Sequence, residues 1–135
     1  MKNVPPFLTE EEILFFHQDQ LKLYGGKAGV RDLGLLYSAM AQPEATFEGQ
    51  FLHSFPFGMA AAYAYHISQN QPFIDGNKRV ALDCALTFLE LCEITIEDPE
   101  GKLYQAMIDI ANKHMGKEKL ESLLKSLVIE DGYPE

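Results

Sequence analysis

Basic residues are scarce in this chain. Its 135 residues hold 11 lysines and arginines against 20 aspartates and glutamates, a formal net charge of −9. A surface of that sign repels a polyphosphate backbone, so no nucleic-acid partner is expected. Long apolar runs are also missing. None approaches the ~20 residues that a membrane-crossing helix needs, so no membrane partner is expected either. The opening "MKNVPPFLTEEE" lacks the apolar stretch of a secretory leader, and the expected location is cytoplasmic. Cysteine is limited to Cys84 and Cys92. Two cysteines two helical turns apart sit roughly 12 Å from each other, beyond disulfide reach. They have no zinc-ligand spacing and read as small buried apolar residues. Internal repeats and low-complexity segments are absent.

What is present is a soluble composition, 47% hydrophobic and 23% charged, at a length that suits one domain with one core. The domain is expected to fill 1–135, with its core over about 10–128. Periodicity is helical almost throughout. Thr9 and Glu12 form a capping box that opens a helix over about 10–24, with Ile13, Phe16, Gln20 and Leu23 along one side. Gly25 and Gly26 end it, and "GGKAGVRD" reads as a C-cap and turn. Asp32 caps a second helix up to Gln42, which Pro43 stops. Segment 44–51 has strand-like or flap-like character. A third helix runs over about 54–69, rich in small residues that permit close packing. A fourth covers 77–92, with Ala81, Cys84, Ala85, Phe88 and Cys92 as a buried stripe. "EITIEDP" is an extended link. Asp98 caps a fifth helix to about His114, "KEKLESLLKSL" forms a sixth, and "EDGYPE" is a loose tail. The predicted fold is all-α: one compact domain of about six helices with a short flap.

The chemistry concentrates in "SQNQPFIDGNKRVAL", Ser68 to Leu82. Asn77, Lys78 and Arg79 begin a helix whose first N–H groups lack internal partners and favour an anion. Gly76 lets a phosphate approach the backbone. Lys78 adds a point charge and Arg79 a bidentate fork. Asp75, beside this nest, is a natural Mg²⁺ ligand, because Mg²⁺ is held by one or two carboxylates plus substrate phosphates. Phe73 and Ile74 plug the loop into the core. The structural alternative is an ordinary helix start capped by Asp75 or Asn77, with two solvated basic residues. Basic residues at a helix N-terminus oppose the dipole, which favours the functional reading.

At these residues the chain resembles the Fic/Doc superfamily, and within it the Doc (death-on-curing) branch. The family loop HxFx[D/E][G/A]N, followed by G-R in most Fic enzymes and K-R in Doc, reads here Gln71-Pro72-Phe73-Ile74-Asp75-Gly76-Asn77-Lys78-Arg79. "YGGKAGVRDLGLLYSAMAQPEATF", "AAAYAYHISQN" and "ALDCALTFLEL" extend the likeness over about 10–128. The resemblance implies that Asp75 holds Mg²⁺ on the phosphates of ATP. It implies that Gly76 and Asn77 form an anion hole and that Arg79 binds phosphate oxygens. Lys78 stands where adenylyltransferases have glycine. The Doc-like lysine implies a reversed nucleotide, with the γ-phosphoryl going to a threonine of elongation factor Tu and translation arrested. It also implies a toxin–antitoxin module with a Phd-type antitoxin, and a target-positioning flap at 44–51.

One position departs from the pattern. Gln71 occupies the slot of the family's histidine, the general base on the acceptor hydroxyl. Glutamine cannot accept that proton near neutrality, so the chain is expected to be inactive or strongly impaired as a kinase. Its amide can still form hydrogen bonds, so nucleotide, metal and partner binding are expected to survive. Gln71 is either a natural loss or a selected or introduced substitution that relieves growth arrest. His66, five residues earlier, and His17, His53 and His114 read as packed or partly exposed helix residues. Two readings compete with the kinase: a Fic-type adenylyl or nucleotidyl transferase, which Lys78 opposes, and a non-catalytic binding module.

Overall fold

In a computed structural model the structure describes residues 4–129. The expected loose tail, 130–135, lies outside them. Six helices and one small hairpin make up the fold: α1 (Glu10–Tyr24), α2 (Leu33–Ala41), β1 (Thr46–Phe47), β2 (Gln50–Phe51), α3 (Phe57–Asn70), α4 (Asn77–Leu91), α5 (Lys102–Ala111) and α6 (Lys117–Ser126). This is the expected helical domain with a short flap.

Helix α3 is the axis of the domain and packs against α2, α4, α5 and α6, while α1 lies on α4. Its run Gly58 to Ala64 is buried without a break. Small side chains there let neighbouring helices approach from several sides, as the composition predicted. On α4, Val80, Ala81, Cys84, Ala85, Phe88 and Leu89 form the buried face. Cys84 is fully buried and Cys92 half-buried, both as free thiols. The Tyr63 hydroxyl, inside the core, accepts the Leu8 N–H at 2.8 Å and ties the N-terminal segment to α3.

The capping box forms as expected, with the Thr9 side chain accepting from the Glu12 N–H and the Glu12 carboxylate accepting from the Thr9 N–H. The predicted apolar side of α1 is corrected at one end. Ile13 and His17 are its buried residues, whereas Leu23 is 64% exposed. Helix α3 begins at Phe57, three residues later than predicted, because the residue before a proline is pushed out of the α region. The flap is a two-residue antiparallel ladder with Thr46 opposite Phe51 and Phe47 opposite Gln50. Its turn residues Glu48 and Gly49 have φ of 52° and 81°, the left-handed pair that matches strand twist. The extended link reduces to a single bridge between Ile96 and Val128.

Helix α5 is shorter than predicted. It starts at Lys102, with the Asp98 carboxylate accepting from the Lys102 and Leu103 N–H groups. It ends at Ala111 because Lys113 turns left-handed, φ 64°. The Lys113 N–H then bonds Ile110 O and the His114 N–H bonds Asp109 O, closing the helix in a Schellman motif. Glu93, φ 65°, closes α4 in the same way.

Candidate functional site

The site lies at the junction of α3, α4 and the segment after α1. Gln71 is the C-cap of α3 with left-handed φ 49° and ψ 59°. Two main-chain anchors hold it there. Its N–H bonds Ile67 O, and its carbonyl accepts from Arg31 Nε at 2.8 Å. The Arg31 Nη2 also bonds Asn70 O at 2.8 Å, so one guanidinium closes the end of α3. The Arg31 and Asp32 N–H groups share Pro72 O, and the Ile74 N–H bonds Gly29 O. Segment 26–32 is thus paired along the loop 70–75, with a bridge between Val30 and Phe73. The "GGKAGVRD" turn is a C-cap, as read, and it is also the lateral support of the site.

The apex of the loop is fixed from inside. Phe73 is 1% exposed and stacks on the His17 ring, 4.0 Å between centroids and 13° between planes. The Asn77 side chain accepts the Phe73 N–H and donates to Phe73 O, both at 2.9 Å. The His17 Nε2 lies 2.9 Å from Asp75 O. A carbonyl can only accept, so this nitrogen carries the hydrogen. Replacing Asn77 by alanine orphans two backbone groups in a half-buried turn. The expected loss is about 1–3 kcal/mol, read from the urea midpoint.

At the start of α4 the sequence alternatives separate. Gly76, φ 80°, is the N-cap, and neither Asp75 nor Asn77 caps the helix through its side chain. The first helical bond is made by the Val80 N–H to Gly76 O. The N–H groups of Asn77, Lys78 and Arg79 therefore have no acceptor within α4. Among the described residues neither Lys78 nor Arg79 lies within ion-pair distance of a carboxylate. The backbone at the start of α4 thus leaves three N–H groups without a helical acceptor, whereas the Asn77 side chain is committed to Phe73.

Consecutive helical residues point about 100° apart, and Lys78 and Arg79 serve different sides of the loop. Lys78 shares a cavity with Ser68, Gln71, Asp75 and Gly76. Arg79 shares another with Tyr24, Gly25, Gly26, Asp75 and Gly76. Its guanidinium sits over the Tyr24 ring at 3.8 Å and the Tyr104 ring at 5.1 Å. Asp75 and Gly76 are the crest common to both cavities.

Asp75 is exposed. Its Oδ1 accepts the Gly76 N–H at 2.9 Å and its Oδ2 accepts the Lys27 N–H at 3.1 Å. Each carboxylate oxygen offers more than one acceptor site, so both keep capacity for a cation. Gly26 stands beside it with φ 119°, a backbone that favours glycine. Among the described residues no group of three or more histidines, cysteines or carboxylates converges. A lone carboxylate beside an anion nest fits Mg²⁺ held jointly with phosphates, and does not fit an all-protein metal cage.

His66 is not a substitute base. Its Nε2 and the His53 Nε2 lie 2.9 and 3.0 Å from Lys117 Nζ, on a different face from the loop. Burial pushes the His66 imidazole down to about 4, helped by the charge of Lys117 and the neighbouring His53. Burial and Lys117 also lower His53. These depressed values mean that the unfolded chain binds more protons than the folded one below the ordinary value of 6.5. Stability is expected to fall as pH drops from about 6.5 toward about 4, and the His66→Gln variant should flatten that slope in urea titrations.

The sequence reading missed His17, Arg31, Tyr24, Gly26 and Lys27 as site residues. The only advance sign was that all but His17 belong to the "YGGKAGVRD" stretch on which the resemblance partly rested.

Comparison with known proteins agrees with this geometry. The Fic/DOC family pattern matches residues 7–89, from the start of the fold to the end of the buried face of α4. "Toxin Doc" of Mycolicibacterium smegmatis is 41% identical over 68 residues, 50% of this chain and 52% of that protein. "Protein kinase doc" of Escherichia phage P1 is 26% identical over 107 residues, 71% of this chain and 84% of that protein. The alignment with the mycobacterial protein thus spans about half its length. A loop that pins Phe73, presents Asp75 and opens α4 on free N–H groups, in a chain matched over 7–89 with Doc proteins as relatives, places this protein in the Fic/DOC family, on its Doc branch.

Proposed function

We propose that this chain is a Doc-type toxin of a toxin–antitoxin module, built as a nucleotide-dependent protein kinase and silenced at Gln71. The observation that carries this reading is the loop itself. Its anion-binding half, Asp75 to Arg79, is intact, and the acceptor-activating slot holds a carboxamide.

In this reading ATP phosphates lie against the N–H groups at the start of α4, where the dipole favours negative charge. Lys78 supplies charge on the Gln71 side. Arg79, held between Tyr24 and Tyr104, supplies it on the other side. Asp75 would hold Mg²⁺, which neutralises charge on the transferring phosphate. Transfer forms a bond from an acceptor threonine oxygen to the γ-phosphorus and breaks the bond to the β,γ-bridging oxygen, releasing ADP. The hydroxyl proton must leave, and Gln71 cannot take it. The proposed acceptor is a threonine of elongation factor Tu, with translation arrest as the outcome, and the proposed inhibitor is a Phd-type antitoxin. A cytoplasmic location follows from these partners.

The label position tests the reaction class. Gln71→His incubated with elongation factor Tu should transfer label from γ-labelled ATP and none from α-labelled ATP. Transfer from α-labelled ATP would replace the kinase with an adenylyl transferase. Gln71 itself favours a second reading, a non-catalytic binding module that holds an antitoxin or target. Calorimetry on the chain as it stands separates the two. Mg·ATP binding that weakens in Asp75→Asn supports the nucleotide site, and no binding leaves the binding-module reading.

A further inference from the structure

We propose that His17 is a positioning residue that sets the polarity of the Asp75–Gly76 peptide, and through it the sign of the anion site. The inference rests on the proposed nucleotide-binding reading and deepens it.

Among the described residues the Asp75–Gly76 bond is trans, the one cis bond being Phe55–Pro56. In a planar trans peptide the C=O and N–H point in opposite directions. His17 is 4% exposed and draws Asp75 O inward at 2.9 Å. The Gly76 N–H must then face outward, and it does, meeting Asp75 Oδ1 at the exposed crest. From there the N–H groups of Gly76, Asn77, Lys78 and Arg79 run consecutively into the first turn of α4.

The opposite orientation is sterically cheap at this position. Rotating this peptide changes ψ of Asp75 and φ of Gly76, and glycine tolerates either sign of φ. A flipped peptide would turn a carbonyl oxygen, the negative end of its dipole, toward the place where a phosphate must sit. No other donor of the described structure bonds Asp75 O. The ring stack on Phe73 holds the imidazole at the required angle. His17 thus works from the interior, without touching the ligand.

The test separates donation from packing. His17→Phe keeps a ring on Phe73 and removes the donor. His17→Gln removes the ring and keeps a nitrogen donor at about the reach of Nε2. With Mg·ATP or inorganic phosphate as probe, His17→Phe should bind about 10- to 100-fold more weakly, the expected effect of losing a hydrogen bond to a charged group. Its Gly76 amide resonance should no longer respond to the probe, while those of Lys78 and Arg79 still do. His17→Gln should recover most of the binding. Equal affinity and an unchanged Gly76 response in His17→Phe would overturn the proposal. If the unaltered chain binds neither probe, the nucleotide reading fails. The peptide orientation in a crystal structure of His17→Phe then decides. A carbonyl turned outward upholds the latch, and one still turned inward overturns it.

Discussion

Gln71→His is expected to raise phosphotransfer to elongation factor Tu by about 10²- to 10⁴-fold, the usual contribution of a positioned general base. Little else needs to change. Residue 71 already has its left-handed backbone, φ 49° and ψ 59°, a region that histidine enters more readily than most residues. The side chain is exposed, in the same cavity as Lys78. Imidazole supplies what the carboxamide lacks, a lone pair that takes a proton near neutral pH. Affinity for Mg·ATP should stay within about twofold, because the N–H groups at the start of α4 are untouched. Single-turnover transfer from γ-labelled ATP gives the rate, and calorimetry gives the affinity. A rate that does not move while Mg·ATP still binds would sink the kinase reading.

Phe73→Ala is expected to cost about 3–5 kcal/mol of folding stability. Phe73 is among the largest fully buried side chains and joins the loop to the core. Its removal leaves a cavity beneath the apex and takes away the surface on which His17 stacks. The Asn77 clamp closes on the Phe73 backbone, so the loop end of α4 loosens with it. Urea unfolding gives the stability change. The Gly76 and Asn77 amides report the local effect through faster hydrogen exchange. A loss below about 1 kcal/mol would show that the 26–32 segment, and not Phe73, holds the loop.

What was legible in the sequence follows from how local each signal is. Helices α1 and α2 were placed within a residue or so because Thr9, Glu12 and Asp32 cap from within their own turns. Segment 44–51 was legible only as strand-like or flap-like, and the structure resolves it into two paired residues on each side of a Glu48-Gly49 turn. The end of α5 was missed because Lys113 takes the left-handed position that glycine usually marks. In the site, the helix start with its unpartnered N–H groups was legible from Gly76 and the residues after it. The roles of the side chains were less so. Asn77 turns back to Phe73, and Arg79 rests between Tyr24 of α1 and Tyr104 of α5. His17 and Arg31 bond residues 58 and 40 positions distant. Contacts at such separations leave no periodicity or spacing to read.

The clamp at the end of α3 has a consequence for how this protein can change over generations. Arg31 and Ile67 hold position 71 by its main chain alone, and the side chain carries none of that anchoring. Selection for folding therefore acts on this position through its left-handed backbone and not through the chemistry of its side chain. On the proposed kinase reading, phosphotransfer at position 71 is inherited separately from stability, and exchange of histidine and glutamine there would switch it on or off with no compensating change elsewhere in the fold.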